Sequence, residues 1–333
     1  MIGAAALILA PDGLRLTAEE RSLFARIRPF GFIVFGRNVD TPDQLRALTG
    51  EMRDACGWDA PVFVDQEGGR VQRLGAPHWA QWAPPLEFGV GLSLDDRARA
   101  FALRYQLIAA ELRAVGLDGN CAPCLDVATP ATHRFLRNRC LSDDPAEVAV
   151  LGRAILDAQL TGGVLPVIKH APGHGRSEAD SHLDLPIVRA EMEALEADFA
   201  PFKALADAPL AMTGHMAFEA IDQGVPATQS EKVIALLRET LGFNGLLMTD
   251  DISMNALSGD VVQRAEASLA AGVDVILHCN GDFNEMVALA EAVPRLDDAK
   301  AADAVAARRP APVVDVDATR AELAQLLGEA VNA

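Results

Sequence analysis

Val164-Leu165-Pro166-Val167-Ile168 runs straight into Lys169-His170-Ala171-Pro172-Gly173-His174-Gly175. The first five residues are apolar without alternation, the pattern of a strand buried on both faces of a parallel sheet. The residues that follow cannot form a helix: Pro172 lacks an amide donor, while Gly173 and Gly175 tolerate backbone conformations closed to other residues. A shaped loop is therefore expected at the carboxyl end of a strand. With Asp180-Ser181-His182 just downstream, it gathers three of the chain's seven histidines. Ionisable groups at that position of a parallel α/β protein are where chemistry is usually carried out.

A second segment has the same setting, because the glycine-led apolar run 245–248 opens into Thr249-Asp250-Asp251. Further apolar runs bring the strand candidates to eight: 5–10, 31–35, 62–65, 120–124, 165–169, 210–213, 245–249 and 273–277. Helix starts fall between them. Thr17 with Glu20 and Thr41 with Gln44 read as capping boxes, Asp144-Pro145 places proline at a first helical position, and Ser230-Glu231 opens a helix that closes near Gly242. A long helix is expected over 93–115. Eight strands alternating with helices and no linker between them predict a single (β/α)8 barrel of the TIM type. We read residues 1–333 as one catalytic barrel domain, with a short surface helix within 297–309 and a terminal helix over 319–328.

A chain of 333 residues that is 50% hydrophobic can bury a large core, and its net charge of −18 opposes nucleic acid and anionic membranes. No apolar run is long enough to span a bilayer. The run 2–10 has no Lys or Arg ahead of it and ends in the turn Pro11-Asp12-Gly13, so it reads as a first barrel strand rather than a targeting signal. Five scattered cysteines do not make a secreted disulfide framework, and the Cys121-Ala122-Pro123-Cys124 spacing reads as two buried or half-buried strand thiols. A cytoplasmic protein is expected.

On such a barrel the carboxyl ends of the strands converge on one bowl. By position the bowl should collect Asp65, Arg70 and Arg73 after the third strand, and Arg134, Arg137 and Arg139 after the fourth. Lys169, His170, Asp180 and His182 follow the fifth, His215 the sixth, and Asp250 with Asp251 the seventh. Arg70, Arg134 and Arg137 could equally make surface ion pairs. Trp79 and Trp82 read as packing their loop rather than stacking on a ligand. His170 and His174 have the i, i+4 spacing of a helical metal pair, but Pro172 and Gly173 break any helix there, so no metal is expected.

Three motifs resemble those of the NagZ-type β-N-acetylhexosaminidases, a branch of glycoside hydrolase family three. They are Lys169 to Gly175 closed by Asp180-Ser181-His182, the triplet Thr249-Asp250-Asp251, and Val64-Asp65-Gln66-Glu67-Gly68-Gly69-Arg70-Val71-Gln72-Arg73. They occur in the family's order, and the resemblance runs over roughly the whole chain. Ala171 stands where a bulkier residue is usual, which bears on the pocket wall. Glycoside hydrolysis needs an acid for the leaving oxygen and a carboxylate for the oxocarbenium-like centre. The resemblance implies Asp250 as the nucleophile, with Asp251 as a cap or support. It implies His182 as proton donor and acceptor, oriented and stabilised by Asp180; an imidazole titrates near neutrality and suits both roles.

It further implies Asp65, Arg73, Arg139, Lys169 and His170 as substrate-binding residues, with His174 fixing the loop through hydrogen bonds. The expected activity is retaining exo-β-N-acetylglucosaminidase action on anhydromuramyl-containing peptidoglycan fragments during cell-wall recycling. No cofactor is implied. The expected partner is a small sugar substrate, not nucleic acid or membrane, and a monomer is expected. A family-three β-glucosidase or an N-acetylglucosaminide phosphorylase would share the fold, whereas a non-catalytic carbohydrate-binding barrel would have no need for an intact Asp250, Asp180 and His182.

Overall fold

The computed structural model describes residues 3–177, 184–308 and 314–328; the Asp180 and His182 of the expected dyad lie outside the described residues. Eight strands, β1 (Ala5–Leu9), β2 (Pro29–Val34), β3 (Val62–Val64), β4 (Gly119–Asn120), β5 (Leu165–Ala171), β6 (Leu210–Thr213), β7 (Leu246–Asp251) and β8 (Val275–His278), pair in chain order. β8 returns to β1 and closes a parallel barrel. This is the (β/α)8 architecture expected from the alternation.

Around it lie α1 (Ala18–Ile27), α2 (Pro42–Cys56), α3 (Leu94–Ala114), α4 (Pro145–Thr161), α5 (Met192–Ala204), α6 (Glu231–Ala235), α7 (Val261–Ala271) and α8 (Phe283–Ala292). α6 continues as a wider turn, Leu236–Thr240. Two more helices follow, α9 (Asp298–Ala306) and α10 (Val316–Leu327), and α10 packs on α3 with Leu323 buried. Among the described residues no helix is long and apolar enough to cross a membrane.

Apart from α5, the caps that start these helices are side-chain acceptors satisfying first-turn amides. Thr17 and Glu20 form the reciprocal box. At α2 the geometry differs from expectation: Thr41 accepts from Gln44 N, but the Gln44 side chain accepts from Asp40 N, one residue earlier than the box would require. Its amide group is instead drawn to the Leu14 and Asn38 carbonyls.

Three strand ends also depart from the sequence reading, and all three matter for the site. β4 was expected over 120–124, yet only two residues keep a regular ladder, because Pro123 cannot donate. Contact with β5 nevertheless continues, through Val167 N to Ala122 O, Lys169 N to Pro123 O and Leu125 N to Lys169 O. β5 and β7 each end two residues later than expected. Each slips register near its end, β5 against β6 between Ile168 and Ala171, and β7 against β8 between Met248 and Asp251. An irregularity at a barrel rim re-aims side chains; here the re-aimed residues are Lys169, His170, Asp250 and Asp251.

Inside the barrel, Gly119 of β4 pairs with Phe63 of β3 and Leu165 of β5. A Cβ on Gly119 would lie 2.2 Å from the buried Phe63 ring, so glycine is required by the neighbouring ring. Gly119→Ala should lower stability by about 1–3 kcal/mol, the usual cost of overpacking. Adding Phe63→Leu should recover part of that loss in chemical denaturation, and simple additivity of the two changes would place the clash elsewhere.

Candidate active site

The carboxyl ends of the strands enclose a cavity of about 170 Å³ whose lining includes Asp65, Arg70, Arg73, Arg139, Lys169, His170, Asp250, Asp251 and Cys279. All five expected substrate-binding residues therefore meet in one place, together with both carboxylates of β7. Phe35, Ile33, Met212, Met254 and Leu277 supply the apolar part of the wall.

Lys169 is 1% exposed, so burial disfavours its charge, but two carboxylates outweigh that effect and hold it protonated. Its Nζ lies 2.9 Å from Asp65 Oδ1 and 2.5 Å from Glu67 Oε1. Asp65 Oδ2 also accepts from Arg73 Nη2 at 2.9 Å. Burial alone would raise the Asp65 pKa; Lys169 and Arg73 reverse this and hold it well below the usual carboxylate range. Glu67 in turn accepts a forked pair from Arg139, Nε to Oε2 at 2.9 Å and Nη2 to Oε1 at 2.8 Å. The forked geometry is what a planar guanidinium offers and an ammonium cannot. The backbone carbonyl of Glu67 accepts from the buried Arg104 side chain, whose guanidinium lies over Phe88 and Trp82.

Glu67 and Asp126 were not singled out from the sequence, although both are buried beside the site. Asp126, with no exposed surface, follows β4 in a stretch that carries no other charge, Cys121 to Ala128. Its Oδ2 lies 2.7 Å from His170 Nδ1, and its Oδ1 accepts from His174 N at 2.6 Å. This carboxylate ties the loop after β5 to the end of β4. The loop also requires Gly175, where a Cβ would fall 1.9 Å from Val127 O.

Asp250 and Asp251 separate clearly. Asp251 Oδ1 accepts from Ser253 N and Cys279 N, and its Oδ2 from Ser253 Oγ, so this side chain clasps the ends of β7 and β8. Asp250 accepts only from the Asp251 amide among the described residues, at 2.8 Å, and borders the cavity. Burial pushes its pKa up, but the His170 and His215 rings and the Asp251 amide more than offset this, and the net shift is downward. Asp250 is thus an ionised carboxylate with a free edge. His215 stands behind it: its Nε2 donates to Asp251 O at 3.0 Å, and its Nδ1 meets Thr228 Oγ1 at 2.8 Å.

The remaining expectations divide. Arg70 borders the cavity and donates to the Phe135 carbonyl, and Arg137 donates to the Thr129 carbonyl. Trp82 covers Arg104, and neither it nor Trp79 borders the cavity, so both pack. Cys121 and Cys124 are buried free thiols. The His174 ring was expected to fix its loop, but both of its nitrogens lack a partner among the described residues; the backbone amide does the fixing. As for metals, Cys124, Asp126 and His170 form the one group of three or more ligand-type side chains close enough together among the described residues, their atoms within 4.8 Å of one another. The thiol and the ring both bond to the same Asp126 oxygen, at 3.2 Å and 2.7 Å.

The family profile described as Glycosyl hydrolase family 3 N terminal domain matches residues 6–310. The chain belongs to that family. Within it the chain groups with the beta-hexosaminidases: that of Alkalilimnicola ehrlichii is 39% identical over 285 residues, covering 82% of this chain and 80% of the relative. The beta-hexosaminidase of Methylococcus capsulatus is 38% identical over 273 residues, covering 80% of each. NagZ from Neisseria gonorrhoeae in complex with N-trifluoroacetyl-D-glucosamine superposes with a TM-score of 0.86 at 28% identity, covering 98% of this chain and 99% of that one.

The unpartnered ring of this family-3 chain generates a test of stability. Burial, only partly opposed by Asp126, lowers the His174 pKa to about 4. An unfolded histidine titrates near ~6.5, so the unfolded state takes up the proton first. Stability should be fully present above that value, fall as the pH drops toward about 4, and level off below. The whole effect is on the order of 3 kcal/mol. His174→Leu should flatten that part of the stability profile in denaturation measurements, and an unchanged profile would show that the ring is protonated or hydrated in the folded protein.

Proposed function

We propose that the chain is a retaining exo-β-N-acetylglucosaminidase that works through a covalent glycosyl-enzyme. The observation that carries this reading is Asp250: an ionised carboxylate with one free edge, in a cavity whose polar wall includes Arg70, Arg73, Arg139 and Lys169. The cavity has room for one sugar ring and is closed below by the packed barrel, which suits removal of a single terminal residue. The names of its relatives and the N-acetylglucosamine analogue in the neighbouring NagZ structure support the acetamido sugar.

In this mechanism Asp250 attacks the anomeric carbon. Asp65 accepts hydrogen bonds from adjacent sugar hydroxyls while Arg73, Arg139 and Lys169 donate to them, and His170 contacts the sugar beside Arg139. The proton for the leaving oxygen comes from His182, oriented by Asp180, and the same ring then activates water. These two roles rest on the resemblance of their motif. Natural substrates are peptidoglycan fragments, turned over in the cytoplasm during cell-wall recycling.

Chromogenic β-N-acetylglucosaminide should be hydrolysed in preference to β-glucoside, with no dependence on phosphate. General acid catalysis contributes roughly 10² to 10⁴ and matters most for a poor leaving group. His182→Ala should therefore slow a disaccharide severely and spare the glycosylation step of an activated aryl glycoside. Added azide, which needs no base, should then speed aryl turnover and yield a β-glycosyl azide. Equal losses on good and poor leaving groups, with no response to azide, would move the proton donor elsewhere.

A further inference from the structure

The Asp126–His170 pair stands in the same cavity as Asp250 and has the look of a second acid/base dyad. Its hydrogen bonds say otherwise. Asp126 Oδ1 receives two backbone amides, His174 N at 2.6 Å and His170 N at 3.3 Å, and amides can only donate. Oδ2 receives His170 Nδ1 at 2.7 Å and the Cys124 thiol at 3.2 Å. Across the ring, His170 Nε2 lies 3.3 Å from Arg139 Nη2. A guanidinium has donors and no acceptor, so Nε2 must present its lone pair there. Both sides of the ring thus demand one arrangement, the proton on Nδ1 and none on Nε2. A proton on Nε2 would set one N–H against another, beside a guanidinium already fixed on Glu67.

We propose that Asp126 is a positioning residue that locks His170 in the Nδ1–H tautomer, so that Nε2 accepts from Arg139 on the wall of the cavity and is unfit to be the proton donor. The catalytic half of this statement rests on the function proposed above; the tautomer does not. Asparagine cannot replace Asp126 in this role. Its single oxygen is needed by the two backbone amides, and its NH₂ would then face His170 Nδ1 and force the proton onto Nε2.

Nitrogen NMR of wild-type enzyme carrying isotope-labelled histidine tests the lock directly, with the His170 signals assigned by their loss in His170→Gln. At neutral pH the expected result is a protonated Nδ1 and an unprotonated Nε2; the opposite tautomer or an imidazolium overturns the proposal. This arm holds even where Asp126→Asn does not fold or no N-acetylglucosaminide is turned over, so it separates failure of the lock from failure of the functional reading. In folded Asp126→Asn the tautomer should reverse, and kcat/KM should fall about threefold to tenfold, the worth of one neutral hydrogen bond. The substitution should cost nothing further in a His170→Gln background, where there is no ring to lock. A loss of the same size in that background, with the tautomer unchanged in Asp126→Asn, would reduce Asp126 to a structural residue and contradict the proposal.

Discussion

Four charges at the mouth of the barrel, the buried Glu67, Arg139 and Lys169 and the half-buried Asp65, set the terms for the rest of the site. None could be buried alone, because taking an unpaired ion out of water costs far more than one hydrogen bond returns. They are tolerated because they alternate in sign and share donors: Lys169 bridges the two carboxylates, and Arg139 forks onto Glu67. Since Asp65 and Glu67 follow β3, Arg139 lies in the loop after β4 and Lys169 ends β5, the network fixes three consecutive strand ends relative to one another. It also leaves a cationic wall, Arg73 included, on the cavity that the free edge of Asp250 borders.

The irregular ends of β5 and β7 follow from the same need. A regular strand would alternate its side chains between barrel interior and helix layer, whereas the site wants neighbours Lys169 and His170 both at the mouth, and Asp250 turned to the cavity while Asp251 clasps β8. Slipped register at each rim makes this possible, and hydrogen bonds from the next layer hold it. Thr249 Oγ1 accepts from Leu277 N at 2.9 Å, His215 donates to Asp251 O, and Asp126 holds His170. The groups that aim these side chains are therefore polar and hydrogen-bonded to them, as a preorganised site requires.

Much of this was legible in the chain before folding. The eight strands stand out because parallel barrel strands are apolar throughout, and their helices begin at Thr, Ser and Asp caps. The pocket residues were placed by the ends of those strands and by motif resemblance, and the five proposed to bind substrate do share one cavity. Glu67 and Asp126 were missed for a physical reason: a buried carboxylate that serves other side chains looks, in sequence, like any loop acid. A signal did exist. Asp126 is the lone charge in the stretch Cys121 to Ala128, and a lone charge there must have partners. For α2 the cap was read correctly, but not where the Gln44 side chain goes, since neighbouring carbonyls compete for its amide. The Asp180–His182 pair lies outside the described residues, so its part in the mechanism stands on its motif.

The central claim is that the free-edged carboxylate of β7, and not its clasped neighbour, forms a bond to the sugar. A fluorinated N-acetylglucosaminide with a good leaving group slows the second step and should accumulate as a covalent adduct. Digestion and mass spectrometry should find the added sugar on the peptide containing Thr249-Asp250-Asp251, with fragmentation placing it on Asp250. A label on Asp251, whose oxygens are committed to Ser253 and Cys279, or inactivation without any labelled carboxylate, would contradict the account.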